Sequence, residues 1–285
     1  MNDETRHNHL QRFHRFQRSR EEYYTPLIFR AIRSQYDTVI NKLKASHTEH
    51  EAIRNISSQP ILDILKPLYL DAATVYGAKI RADLNKLIPQ RLSFYTPVIK
   101  KENLVNFQTQ KETISGVSYK SRMPIGFSET MRQLITAYFQ TDIFNTAQGI
   151  TETTQDLIRQ IFTDAYILGE GIDDIVKKLE NTELSRIRAR MIARTESVTA
   201  SNTGAVIVAK STGLDLNKEW LAASDNRVRL HHQHLNRQIV PLDGYFHDHG
   251  VTMEHPGGRV QESGLPVPPE YVINCRCTTI FIPLD

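Results

Sequence analysis

Through about residue 210 the apolar positions recur at three- and four-residue steps with few breakers between them, the signature of amphipathic helices. Residues 8–22 (Leu10, Phe13, Phe16) predict a short basic helix. A second begins with Pro26 in its first turn and runs through Ile28, Ile32, Tyr36, Val39, Ile40 and Leu43. A third starts near Pro60 and carries Ile61, Leu65, Leu68, Ala72, Val75 and Ile80 to about Leu87. The stretch 89–124 is polar and mixed, with a short strand expected at 117–120. Ser128 has the chemistry of an N-cap for a helix with Met131, Leu134, Ile135, Tyr138 and Phe139. Further helices are expected at 154–168, stopped by Gly169 and Gly171, and at 172–179. The strongest pattern spans 183–211, capped by Asn181 and closed by Gly213. Its expected apolar stripe is Leu184, Ile187, Met191, Thr195, Val198, Ala205 and Ala209.

Near Gly213 the chain changes character. Six of the 11 histidines, both cysteines and the single tryptophan follow residue 215, among thickening glycine and proline. Residues 218–223 read as a strand, and Ser224 or Asp225 as the cap of a short helix placing Asp225, Arg229 and His232 on one face. Residues 239–242 read as a second strand. The β-branched and aromatic run 271–282 reads as a last one, with Cys275 and Cys277 on the same face. The expected fold class is therefore α+β: a mainly α-helical N-terminal region, 1–125, and a domain at 126–285 ending in a turn-rich mixed module, 214–285.

Composition narrows the function classes. With 285 residues, 40% hydrophobic and 24% charged, the chain has ordinary globular usage. Its longest apolar run, Ala205 to Ala209, is far short of the roughly 20 residues a membrane span needs. The polar, Arg- and His-rich first 20 residues do not form a secretory signal. A net charge of +3 is no nucleic-acid footprint by itself. Arg186, Arg190 and Arg194, at steps of four, form either a solvated helix shoulder or a contact for a phosphate backbone or a partner's carboxylates.

Two cysteines one residue apart exclude a disulfide framework. They are either small buried thiols or ligands of a zinc ion, with the His-rich helix 40 residues upstream supplying the rest of the set. Such a metal would staple a module too small to rely on packing alone. Catalytic signatures such as His-Glu-x-x-His, Gly-x-Ser-x-Gly or a phosphate-binding glycine loop do not occur, so no enzymatic activity is expected. The alternative is a metal-dependent nuclease or other DNA-processing enzyme using His232 and its neighbours.

The order Ile192-Ala193-Arg194-Thr195-Glu196, Asn202-x-Gly204, Trp220, Asp225-x-Arg227-Val228-Arg229-x2-His232, Leu235, Pro256-Gly257 and Ile273-Asn274-Cys275-Arg276-Cys277 resembles the Mu F-like minor head proteins of tailed bacteriophages, also called head-morphogenesis proteins. The resemblance covers roughly residues 130–285. It implies a minor capsid protein present in few copies, located in the virion at the capsid interior or portal vertex and assembled in the bacterial host cytoplasm. The implied partners are the portal protein, a scaffold or capsid protein and packaged double-stranded DNA bound non-specifically, with no membrane. Carried onto this chain, it places Arg194 and Glu196 on one shared element, Asp225, Arg229 and His232 on a second, and Cys275 and Cys277 on the last; the chemistry of these side chains makes His232, Cys275 and Cys277 the best metal ligands. Arg194, Glu196, Asp225 and Arg229 become an ion-pair network, with Asp225 expected to face Arg194 and Arg229 to face Glu196. Arg186 and Arg190 remain the nucleic-acid candidates. Relatives often carry glycine five residues after the His232 position, where this chain has Arg237.

Overall fold

A computed structural model describes residues 1–45, 47–88, 129–181 and 183–284. The strand expected at 117–120 and the Ser128 cap lie outside the described residues. The described elements run α1 (Asp3–Lys44), α2 (Glu49–Arg54), α3 (Gln59–Leu87), α4 (Glu129–Leu168), α5 (Ile172–Glu180), α6 (Glu183–Ser211), β1 (Leu216–Leu221), α7 (Leu230–Leu235), β2 (Ile239–Pro241), β3 (Phe246–Asp248), β4 (Val251–Met253), α8 (Pro269–Val272) and β5 (Thr278–Pro283). The class is α+β, as the sequence pattern indicates.

Two pairs of expected helices are single helices. Pro26 lies inside α1 instead of starting a helix. An interior proline costs about 3 kcal/mol, yet Phe13, Phe16, Tyr24, Ile28, Ile32 and Val39 stay in phase and are all buried across it. Continuity of that stripe outweighs the lost hydrogen bond. Likewise α4 runs unbroken through the threonine-rich stretch after Gln148. Thr151, Thr153 and Thr154 each donate to the carbonyl four residues back (2.9, 2.8 and 3.0 Å), so their hydroxyls follow the helix instead of competing with it. Gly169, at φ 68°, ends it as expected. Asn181 Oδ1 accepts from the Glu183 N–H (3.1 Å) at the start of α6, and Gly213 closes that helix at φ 64°.

The chain forms two compact units. One comprises Glu21–Pro67 and Gln140–Ala193. Within it Gln35 donates to the Ser57 carbonyl and to Thr151 Oγ1 (both 2.9 Å). Arg188 donates to the Ile150 carbonyl (2.5 Å) and to Thr154 Oγ1 (2.6 Å). Two residues of the expected α6 stripe, Leu184 and Ile187, are exposed here, while Ser185, Ala189 and Ile192 are buried. The buried face is offset by one position there, onto Ser185, Ala189 and Ile192.

The other unit comprises Met1–Arg20, Leu68–Phe139 and Arg194–Asp285. Its antiparallel sheet has the order β2-β1-β5. In the central strand β1, Leu216 faces Pro283 and Leu221 faces Thr278, and Glu219 pairs with Ile239 of β2. Phe13, Tyr76, Val198, Trp220, Phe246 and Phe281 share one core, so α1, α3 and α6 all pack with the sheet. β3 and β4 form a hairpin in which Asp248 faces Val251 across His249 (φ 44°) and Gly250 (φ 83°), two left-handed residues as a tight hairpin turn requires.

Two expectations about this unit are corrected. Residues 271–282 are not one strand: α8 is a helical turn, Asn274 reverses the chain at φ 60°, and β5 starts only at Thr278. The cysteines therefore lie in a turn, and the same-face argument for a strand does not apply to them. Asp225 and Arg229 also do not share a helix with His232, because α7 begins at Leu230 with Arg229 as its cap. Asp225 instead accepts from the Arg227 N–H (3.0 Å) in a local turn.

Candidate metal centre

His232 sits on α7 with its ring against Trp220, 5.8 Å between centroids. Its Nε2 lies 2.9 Å from the Tyr271 carbonyl. A carbonyl can only accept, so Nε2 carries the proton and Nδ1 presents a lone pair. Nδ1 faces Cys277 Sγ at 3.6 Å. The Asn274 turn folds Cys275 back so that its Sγ accepts from the Cys277 N–H (3.4 Å). His232, Cys275 and Cys277 are all buried, and their ligand atoms lie within 4.8 Å of one another. Burial pushes the Cys277 thiol up, but its hydrogen bond from Cys275 outweighs it and holds Cys277 well below the usual thiol range. Its hydrogen bond to Cys277, followed by burial, drives the Cys275 thiol well up. One proton shared between two sulfurs beside an unprotonated imidazole nitrogen is a donor set suited to a thiophilic divalent ion.

Tetrahedral zinc, with bonds of about 2.3 Å to sulfur and 2.0 Å to nitrogen, separates its ligand atoms by roughly 3.5–3.8 Å. The Cys277–His232 separation already fits, and the Tyr271 carbonyl supplies the outer hydrogen bond that fixes a ligating histidine. The residues present fit zinc, with three protein ligands.

The shared sequence elements meet in this unit. Thr195 Oγ1 accepts from the Asn274 N–H (3.0 Å), tying the Ala-Arg-Thr-Glu element to the cysteine turn. Asn202 donates to the Cys277 carbonyl (3.1 Å) and accepts from Thr278 Oγ1 (3.0 Å). Gly257, at φ 80°, lies so close to α6 that a Cβ there would come 2.9 Å from Thr199 Oγ1, whose hydroxyl donates to the Gly257 carbonyl. Arg237 adopts φ 71°, the conformation glycine favours, and its guanidinium reaches Asp3 (2.9 Å) and Glu219 (3.6 Å). A left-handed turn is thus formed here by an arginine.

The polar network forms with other partners than the spacing suggested. Asp225 is gripped end-on by Arg276, with Nη2 2.7 Å from Oδ1. That hydrogen bond lowers its carboxyl to about 2. Glu196 is buried and accepts from both Tyr69 and Arg259. Arg229 donates to the Glu270 and Ile273 carbonyls (2.8 and 2.7 Å), bracing α8. Arg194 lines the cleft beside His232 and Cys277. Of the two nucleic-acid candidates, Arg190 is bound to Glu21 (2.6 Å), and the Arg186 guanidinium lies 5.6 Å from the centre of the Phe29 ring.

A second histidine cluster escaped the sequence reading. His234 Nδ1 lies 3.1 Å and His249 Nε2 3.7 Å from Asp248 Oδ1, while Tyr271 donates to Asp248 Oδ2 (2.7 Å). The one available signal was His249-Gly250, a pair suited to a tight hairpin turn that brings His249 back toward α7.

Residues 156–280 match the family described as Phage Mu protein F like protein. Over that stretch the chain is similar to the Mu F-like head morphogenesis family. It is 27% identical over 129 residues to the Minor head protein GP7 of Bacillus phage SPP1, covering 44% of this chain and 40% of that protein. It is also 33% identical over 140 residues to the NAD(+)–arginine ADP-ribosyltransferase EFV of Enterococcus faecalis, covering 46% of this chain and 26% of that enzyme. The chain therefore spans well under half the length of these relatives. No solved structure matches it. Among the described residues no helix is long and apolar enough to cross a membrane.

Proposed function

We propose that this chain is a non-enzymatic minor head protein of a tailed bacteriophage or prophage. It acts at the portal vertex, in the capsid interior, during procapsid assembly and DNA delivery. Its partners are the portal protein, a scaffold or capsid protein and packaged duplex DNA. The observation that carries this reading is the family match over residues 156–280, reinforced by the contacts that join the shared elements around one buried centre. The match to the ADP-ribosyltransferase covers 26% of that enzyme, which fits a module common to proteins of different activity. A nuclease based on His232 is disfavoured, because its ring is buried, one nitrogen is spent on the Tyr271 carbonyl and the other faces Cys277. Co-expression with the portal, scaffold and capsid proteins of the same phage tests the reading. A portal-bound complex and the chain's presence in purified particles are expected; particles of full composition without it overturn the reading.

Within this role His232, Cys275 and Cys277 hold a structural zinc ion that ties α7 to the cysteine turn. Metal analysis of protein purified under reducing conditions should give about one zinc per chain. Cys277→Ser should remove it, together with several kcal/mol of stability, on the order of 2–5. Metal-free protein whose melting is unchanged by Cys277→Ser would reduce the thiols to core packing.

A further inference from the structure

The histidine cluster at the β3–β4 turn uses none of the three ligands of the cysteine centre. Asp248 ends β3 with its carboxylate buried, and it is met by His234 of α7 and by His249 of the turn. Both imidazoles address the same oxygen. Oδ1 lies 3.1 Å from His234 Nδ1 and 3.7 Å from His249 Nε2, while Oδ2 is occupied by the Tyr271 hydroxyl at 2.7 Å. The three ligand atoms lie within 4.8 Å of one another.

A hydrogen-bonded histidine–aspartate pair accounts for His234 and Asp248, but not for a second imidazole beside the same oxygen. His249 arrives there through φ 44°, a backbone conformation that residues other than glycine adopt rarely. The turn sets the His234 and His249 rings 5.2 Å apart between centroids. The His249 side chain is 77% exposed, so nothing in the packing forces it toward the carboxylate.

The spacing suits an ion. Bonds of about 2.1 Å to nitrogen and oxygen separate neighbouring ligand atoms by roughly 3.0 Å in an octahedral shell and 3.4 Å in a tetrahedral one. The His234 separation falls in that span, and the exposed His249 ring has only a short way to move. The Tyr271 hydroxyl already supplies the outer hydrogen bond that orients a ligating carboxylate. Ligation through His234 Nδ1 places the ring proton on Nε2, a change of tautomer with no net proton lost. Two nitrogens and one carboxylate oxygen, without sulfur, favour nickel, cobalt or zinc over calcium or magnesium, which take oxygen ligands.

We propose that His234, Asp248 and His249 form a second, solvent-facing site for a divalent transition-metal ion, with water completing its shell. The site depends neither on metal at His232 and the cysteines nor on the role in head assembly.

The test uses the full chain, purified under reducing conditions and passed over a chelating resin to clear loosely held ions. It is titrated with nickel(II) by calorimetry, with absorption followed in parallel. Saturable uptake of about one ion per chain is expected, without the sulfur-to-metal charge-transfer absorption that entry at the cysteines would produce. His249→Asn removes a ligand while asparagine still tolerates the left-handed turn, and should weaken uptake by roughly tenfold or more. His234→Ala should do the same. His247→Ala, one residue away on the opposite face of β3, should leave uptake unchanged. Thermal melting checks that each variant is folded. Nickel that enters only with charge-transfer absorption overturns the proposal. So does uptake that stays at full strength in either of the first two variants, or that falls equally in His247→Ala.

Discussion

His9 enters the core as a neutral ring, bonded to the Tyr76 hydroxyl (3.0 Å) and close to the Thr279 backbone. Burial, helped by the Arg12 charge, lowers its pKa to about 4. Below about pH 6.5 the unfolded chain takes up a proton there that the folded chain refuses, so stability falls from that point until about pH 4, by at most about 3 kcal/mol. Buried His255, its pKa also lowered first by burial, adds to the slope in the same direction. Urea midpoints between pH 7 and 4 should show this decline, and His9→Gln should flatten part of it; an identical slope in the variant would assign the acid sensitivity elsewhere. The Asp225–Arg276 pair acts in a lower window, losing its contribution only as pH falls from about 4 toward 2. The identity of the candidate ligands was readable from the sequence, since a Cys-x-Cys and an upstream excess of histidine are local facts. Their geometry was not. Asn274 at φ 60° replaces the expected strand by a turn, and a single left-handed residue leaves no periodic trace.

Helix α6 shows what periodicity can and cannot convey. Its ends follow from Asn181 and Gly213, whose roles are set by neighbours a few positions away. Its crossing with α3 depends on Gly204, where a Cβ would meet the Ala73 carbonyl oxygen at 2.5 Å and the Ala73 Cα at 2.6 Å. Those are backbone atoms and cannot rotate aside. Gly204→Ala should therefore cost about 1–3 kcal/mol or more through overpacking, despite a gain of about 1 kcal/mol in helix propensity. Gly149 inside α4 has no atom within 4 Å of the corresponding position, so Gly149→Ala should stabilise by about 0.5–1 kcal/mol. Opposite signs for one chemical change, read from denaturant midpoints, test whether the helix contact and not composition governs the glycine. The same limit explains α1. Pro26 reads locally as a start, and only burial on both sides of it keeps the helix continuous. Glu196 found Arg259 and not Arg229 for the same reason, because helical spacing says which face a carboxylate occupies but not which distant segment folds onto it.

At the scale of the molecule, the core around the cysteines is assembled from segments far apart in sequence. Phe13 of α1 is fully buried in the same apolar cluster as Trp220, Cys275 and Cys277, with its ring 5.1 Å from that of Tyr76. Arg6 reinforces the link through Glu219 of β1 (2.8 Å). The ordered motifs after residue 190 carry a family resemblance, yet none of them announces that the first helix completes their core. Phe13→Ala removes a ring from that cluster and should cost about 3–5 kcal/mol. If the buried cysteines are reached only when the cluster opens, a loss of about 3 kcal/mol should speed their labelling by a thiol reagent roughly a hundredfold in chelator-treated protein. Tyr166→Ala, at an 89% exposed position in the other compact unit, should leave stability within about 0.5 kcal/mol and labelling unchanged. If Phe13→Ala lowered stability while the cysteines stayed as protected as before, the thiols would be shielded by local structure alone, and the first helix would serve only its own segment.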